Sequence, residues 1–127
     1  MQLTLVLAAM LAVVVGAVHS ALGEKLIFSK LRQGGVVPSK IAGPLHESHV
    51  RILWASWHSL TVFGLVIAAI LLRLAWPAEA VQMRDFFLNA VAFGMSGSSL
   101  LVLVGTKAKH PGWIGLLLVA LLCWFAQ

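Results

Sequence analysis

The chain has 127 residues, of which 61% are hydrophobic and 10% are charged, and its formal net charge is +5. A soluble domain typically carries about 25% charged residues, so this composition excludes an ordinary water-soluble domain. The basic residues flank apolar segments and do not form a solvated stripe, which predicts contact with anionic lipid head groups and argues against nucleic acid as a partner. At this length we expect a single domain over residues 1–127.

Four apolar stretches account for most of the chain, at residues 3–22, 51–76, 86–105 and 113–126. A helix rises about 1.5 Å per residue, so about 20 apolar residues cross a hydrocarbon core of about 30 Å. The sequence therefore predicts an all-α integral membrane protein with four transmembrane helices in an antiparallel bundle. The first stretch has no basic region before it and no clean cleavage site after it, so we expect a retained helix and not a signal peptide.

The connection after the first stretch has structural content of its own. Residues 24–33 combine apolar and basic side chains, which predicts a short amphipathic helical continuation in the head-group layer. Gly34 and Gly35 should end it, because glycine readily adopts the left-handed conformation at a helix C-terminus. Pro44 and Pro111 are predicted in the first turns of the second and fourth helices.

The distribution of lysine and arginine predicts the orientation in the membrane. The first and third connections, with their edges, hold seven basic residues, whereas the second holds only Arg73 and Arg84. Cytoplasmic loops are enriched in basic residues, so we expect an inner-membrane protein with both termini on the extracytoplasmic side. The seven residues are Lys25, Lys30, Arg32, Lys40, Arg51, Lys107 and Lys109.

Small residues recur at intervals of four in two of the predicted helices. Such stripes predict close helix–helix packing, because lipid is as apolar as leucine and hydrophobicity alone does not hold membrane helices together. The pattern is compatible with packing inside one chain, with a homodimer and with a larger membrane complex. The stripes are Ala8, Ala12, Gly16 and Ser20 in the first helix, and Ala90, Gly94 and Ser98 in the third.

Histidines form the main candidate site. His19 and His58 lie at similar predicted depths on consecutive helices, so their imidazoles should face each other or share a pocket. Such a pair could ligate a haem axially, or a divalent transition metal together with Glu24, His46 or His49. His49 and His58 are nine residues apart, about 180° around one helix, which disfavours a site that contains both. Interhelical hydrogen bonding is the alternative that needs no ligand.

The remaining polar residues limit the classes of function that we expect for this chain. Glu47 and Arg51 are spaced to form an ion pair at the head-group boundary. No catalytic residues can be assigned, and an enzyme is not favoured, because the sequence contains no recognised catalytic or metal motif. We expect a structural or accessory membrane subunit. The alternatives are a haem- or metal-binding redox protein that uses His19 and His58, and a small transporter, although the apolar stretches hold no acidic residue at depth.

Overall fold

The computed structural model describes residues 1–126, without the side chains of residues 80 and 81. Its α-helices are α1 (Leu3–Leu26), α2 (Glu47–Leu74), α3 (Ala80–Gly105) and α4 (Gly112–Phe125), and a 3₁₀ helix, Phe28–Leu31, follows α1. Within the described residues the chain forms no strand, only an isolated bridge between Ala42 and Leu45. The prediction of an all-helical protein is therefore confirmed.

Three of the helices are long and apolar enough to cross a membrane: α1, α2 and the Gln82–Gly105 part of α3. The fourth helix has only 14 residues. At about 1.5 Å per residue it extends about 21 Å, which is less than the hydrocarbon thickness of about 30 Å. Three of the four predicted bilayer-length helices are thus present, and α4 is shorter than the hydrocarbon core is thick.

The first connection differs from its predicted form. α1 continues to Leu26, so Glu24 belongs to that helix itself and not to a separate segment after it. The predicted helical continuation over residues 24–33 is present in part: α1 covers its first residues, Ile27 (φ −117°, ψ −67°) caps α1, and the 3₁₀ helix Phe28–Leu31 follows, so the segment is not one continuous helix. Phe28 is only 2% exposed and joins the apolar core, which explains why this segment bends back onto the bundle.

The two prolines also lie outside the helical turns predicted for them. Residues 42–45, which include Pro44, form a turn in which Leu45 N donates to Ala42 O at 3.1 Å. α2 begins after this turn, at Glu47. Gly43 has φ +57° in this turn, a conformation that suits glycine. Pro111 is the N-cap residue of α4, one position before the helix proper.

Helix packing follows chain order, with α1 on α2, α2 on α3 and α3 on α4. Small residues mark the contacts: a Cβ built on Gly94 would lie 2.6 Å from Val66 Cγ2, and one built on Gly105 would lie 3.0 Å from Ala55 Cβ. The backbones therefore approach closely where a larger side chain would not fit, as membrane helices do at small residues.

Only some residues of the predicted small-residue stripes are buried in these helix–helix contacts. Gly16, Gly94 and Ser98 are buried, and Ala12, Ser20 and Ala90 are half-buried. Ala8 is exposed, and its neighbour Ala9 is buried instead. The reason is that the buried residues of α1, namely Ala9, Gly16 and Gly23, are spaced by seven residues, or about two turns, and not by four.

Candidate functional site

His58, in the first half of α2, is the centre of a polar network that joins α2 to α1. Its Nδ1 atom lies 2.9 Å from Ser20 Oγ, and its Nε2 atom lies 2.9 Å from Glu24 Oε1. Ser20 and Glu24 are four residues apart, so they lie one above the other on the same face of α1. One helix thus presents a hydroxyl and a carboxylate to the two nitrogens of one imidazole.

Glu24 collects three side-chain partners. Its Oε1 atom accepts a hydrogen bond from Trp54 Nε1 at 2.7 Å in addition to its contact with His58, and its Oε2 atom forms an ion pair with Arg32. Arg32 directly follows the 3₁₀ helix and also donates from Nε to Val36 O at 2.6 Å. The turn after α1 therefore brings a cation back to the carboxylate, and α2 supplies the other two partners.

Two hydroxyls extend the network along α1. Ser20 Oγ lies 2.8 Å from Thr61 Oγ1, and Thr61 Oγ1 donates to Gly16 O at 3.3 Å. In one proton arrangement His58 Nε2–H donates to Glu24 and Ser20 donates to Nδ1, and Thr61, which has a single hydroxyl proton, donates to Ser20 in place of Gly16 O. In the other, His58 carries both protons and donates to Ser20 and Glu24, and Ser20 then donates to Thr61. The network accommodates either protonation state of His58 by rotating hydroxyl groups.

His19 has different partners from His58. Its ring stacks on Trp57 with centroids 4.3 Å apart and planes 7° apart, and its carbonyl oxygen accepts from Trp57 Nε1 at 3.0 Å. His19 Nε2 is buried without a hydrogen-bond partner in the described structure. The sequence predicted that His19 and His58 face each other or share a pocket. The residue of α1 that meets His58 is Ser20, which is about 100° around the helix from His19, so the two rings do not face each other. The contacts therefore pair His58 with Glu24.

Two other histidines lie away from this network. His46 and His49 are exposed at the start of α2, where His49 Nδ1 accepts from His46 N at 3.4 Å. Within residues 1–126, no group of three or more histidine, cysteine, aspartate or glutamate side chains is arranged to hold a metal ion. The structure brings Glu24 and His58 together, whereas His19, His46 and His49 are not joined to them. Roles as haem or metal ligands stay predictions for all five residues.

Glu47 and Arg51 form an ion pair of 3.5 Å across one turn of α2. The carboxylate also lies 3.4 Å from Lys107 Nζ, so this pair belongs to a second group of charges near the end of α3. Glu47 and Arg51 are separate from the His58 network.

Sequence reasoning missed three members of the His58 network. Trp54 and Thr61 are four residues before and three after His58, so they lie on the same face of α2, and this polar stripe could have been found from spacing. Arg32 had no such signal, because its position depends on the bend at Ile27. No protein-family model, curated protein or solved structure matches this chain.

Proposed function

We propose that this chain is a multi-pass inner-membrane protein that serves as a structural or accessory subunit, with the His58 network fastening α1 to α2. The observation that carries the proposal is that protein side chains engage both ring nitrogens of His58. An imidazole without partners in hydrocarbon is costly, and hydrogen bonds between helices are a common means of holding membrane bundles together. Holding α1 against α2 is therefore a sufficient reason for the network to be present.

The contacts support an antiparallel bundle. Gln2 N donates to Ala75 O at 2.8 Å at one end of α1 and α2, and Ser20 contacts His58 towards the other. Residue numbers thus rise along α1 as they fall along α2. The same relation holds for α3 and α4 in the contacts Arg84–Ala126 and Ser99–Trp113.

The exposed surface of α1 supports a location in the membrane and a role beside other helices. Only 11% of its most apolar 18-residue window is buried, and in the described part of the chain its extensive contacts with a long helix are those with α2. Lipid or another membrane helix has to cover this face. The short α4 completes the proposed four spans if the bilayer thins locally, which is how a short hydrophobic helix is accommodated.

The basic bias supports a cytoplasmic position for the end of the bundle that contains Glu24 and His58. In this orientation both termini are extracytoplasmic, and Arg32 and Arg51 lie near the anionic lipid head groups. The amphipathic region around the 3₁₀ helix then lies at the cytoplasmic interface.

Membrane extraction followed by mild solubilisation tests this proposal. The chain should stay in the membrane pellet after alkaline carbonate washing, and after chemical cross-linking it should migrate as a discrete complex with itself or another membrane protein. Release by carbonate would contradict membrane insertion. A monomer without cross-linked partners would contradict the subunit role.

Absorption spectroscopy and metal analysis of the same sample test the redox alternative. A haem band, or a stoichiometric transition metal, that is lost on His58→Ala would replace the structural role with a cofactor-bearing role for His19 and His58. The subunit proposal expects the protein to be stable without either signal.

A second candidate function, a small proton-coupled transporter, is favoured by one observation. Glu24 lies inside α1 and its carboxylate is 2.9 Å from the His58 ring, so an acidic residue is present within a bilayer-length helix. Ionisable pairs in such helices often mark proton pathways. In proteoliposomes with an internal pH dye, this function requires a proton flux that Glu24→Gln abolishes and that Glu79→Gln, a change at the N-cap of α3, leaves intact. A wild-type protein without flux would reject it.

A further inference from the structure

A second polar site lies between the start of α2 and the turn after α3. A cavity of about 330 Å³ opens there, lined among others by Ser48, Arg51, Thr106, Lys107 and Lys109. This volume is at the lower end of the range of small-molecule sites, roughly 300–1,000 Å³. We propose that the cavity binds a phosphate group, with Arg51 as its buried ligand and Lys107 and Lys109 as ligands at its opening.

Arg51 provides the strongest evidence for an anion site. The residue is only 8% exposed, and its Nε atom is buried without a hydrogen-bond partner in the described part of the chain. Its other contacts are long: Nη1 lies 3.5 Å from Glu47 Oε1, and Nη2 donates to Val104 O at 3.4 Å. A buried guanidinium with incomplete hydrogen bonding is unfavourable, and its planar fork of donors matches the oxygens of a phosphate.

The charge around the cavity is also unbalanced. Among the described lining residues Glu47 is the acidic one, and its carboxylate is shared between Arg51 and Lys107 Nζ, the latter at 3.4 Å. Three cations therefore face one carboxylate. The first turn of the 28-residue α2 adds the positive end of a helix dipole to the same wall.

The turn that carries the lysines is unusual. Lys107 and Ala108 have φ values of +54° and +60°, in the left-handed region that residues other than glycine rarely adopt. Ala108 N donates to Leu103 O at 2.8 Å, which holds the turn closed against the end of α3. Lys107 N also donates to Val104 O at 3.3 Å, so the turn is a Schellman C-cap of α3, and it holds Lys107 beside Glu47.

The phosphate could belong to a phospholipid head group or be free in solution, and both present the same oxygens to Arg51. The head-group source depends on the proposed membrane insertion, which carbonate extraction tests separately. Failure of the phosphate site would leave that insertion intact.

Native mass spectrometry of the protein in a neutral detergent, titrated with phosphatidylglycerol, tests the site. The cavity variant combines Lys107→Gln with Lys109→Gln, and the matched control combines Lys30→Gln with Lys40→Gln, which removes the same charge from exposed positions in the first connection. Each cavity lysine should contribute about fivefold to affinity, so the cavity variant should bind about 25-fold more weakly. The control lysines lie in a segment that is also expected at anionic head groups, so this variant measures unspecific charge attraction, and its loss of affinity should be clearly smaller than that of the cavity variant.

Two results would overturn the proposal: a cavity variant that binds within about twofold of the wild type, or an equal loss in both double variants, which would indicate unspecific charge attraction. Melting temperatures of all variants establish that they are folded. Inorganic phosphate and phosphatidylcholine then identify the source. Displacement of phosphatidylglycerol by inorganic phosphate supports a site for free phosphate, whereas binding that resists it and exceeds phosphatidylcholine binding supports a site for an anionic lipid head group.

Discussion

Gly23→Ala tests the close approach of α1 and α2 beside the His58 network. A Cβ at this position would lie 2.6 Å from Cε2 and 2.9 Å from Cδ1 of Trp57. The indole is held on two sides, because it stacks on His19 and meets the edge of Phe28 with centroids 5.8 Å apart. A methyl group at Gly23 therefore requires the tryptophan or the helix to move.

The structure gives an approximate size for this effect. Overpacking of a well-packed contact typically costs about 1–3 kcal/mol. Displacement of the indole also weakens the bond from Trp57 Nε1 to His19 O, and intramembrane hydrogen bonds average about 0.6 kcal/mol. Alanine recovers up to about 1 kcal/mol over glycine in a helix. We therefore expect a net loss of about 0.6–2.6 kcal/mol in the free energy of unfolding.

The assay is unfolding in mixed micelles with increasing sodium dodecyl sulfate, followed by circular dichroism. Gly64→Ala is the matched control, because Gly64 lies in α2 and a Cβ there meets no atom within 4 Å. This change should be neutral or should stabilise the protein by up to about 1 kcal/mol. Equal unfolding free energies for the two variants would refute the close contact between Gly23 and Trp57.

Three further predictions address the other helices and the topology. Gly94→Leu should lower the melting temperature in detergent, because a Cβ at this position would lie 2.6 Å from Val66 Cγ2. Leu103→Ile should have little effect. Equal melting temperatures for the two variants would exclude packing through Gly94. Trp54→Phe should cost about 1 kcal/mol of unfolding free energy, since it removes the donor to Glu24 and keeps an aromatic ring, and an unchanged value would argue against that bond. C-terminal fusions should be active with a reporter that works only outside the cytoplasm, and the reverse would overturn the proposed orientation.

Apolar length was sufficient to predict α1, α2 and α3, because crossing a bilayer demands many consecutive apolar residues. Apolar length did not predict where the helices end. Residues 24–33 were predicted as a separate helical continuation in the head-group layer, yet residues 24–26 belong to α1 itself. Glu24 remains in the helix where Trp54, His58 and Arg32 satisfy its carboxylate, and these long-range partners are not visible in local composition.

Depth along the helix predicted that His58 would meet α1 near residue 19, but it did not predict which side of α1 would face the ring. Gly16, Ser20 and Glu24 follow each other at intervals of four, and this face contacts Thr61 and His58. The spacing was present in the sequence and favoured Ser20 over His19. The position of His19 on Trp57 depends on the absence of a side chain at residue 23, which only the packed structure reveals.

The most direct test of the interhelical role of the Glu24–His58 contact is a double-mutant cycle on the free energy of unfolding. Glu24→Ala and His58→Ala should be less destabilising together than the sum of the two single changes, with a coupling of about 0.5–2 kcal/mol. Glu47→Ala combined with His58→Ala is the control, because Glu47 lies eleven residues earlier on α2 and about 16 Å away along the helix axis, so the two changes should be additive. Additivity of Glu24→Ala and His58→Ala within about 0.3 kcal/mol would contradict the proposed fastening of α1 to α2.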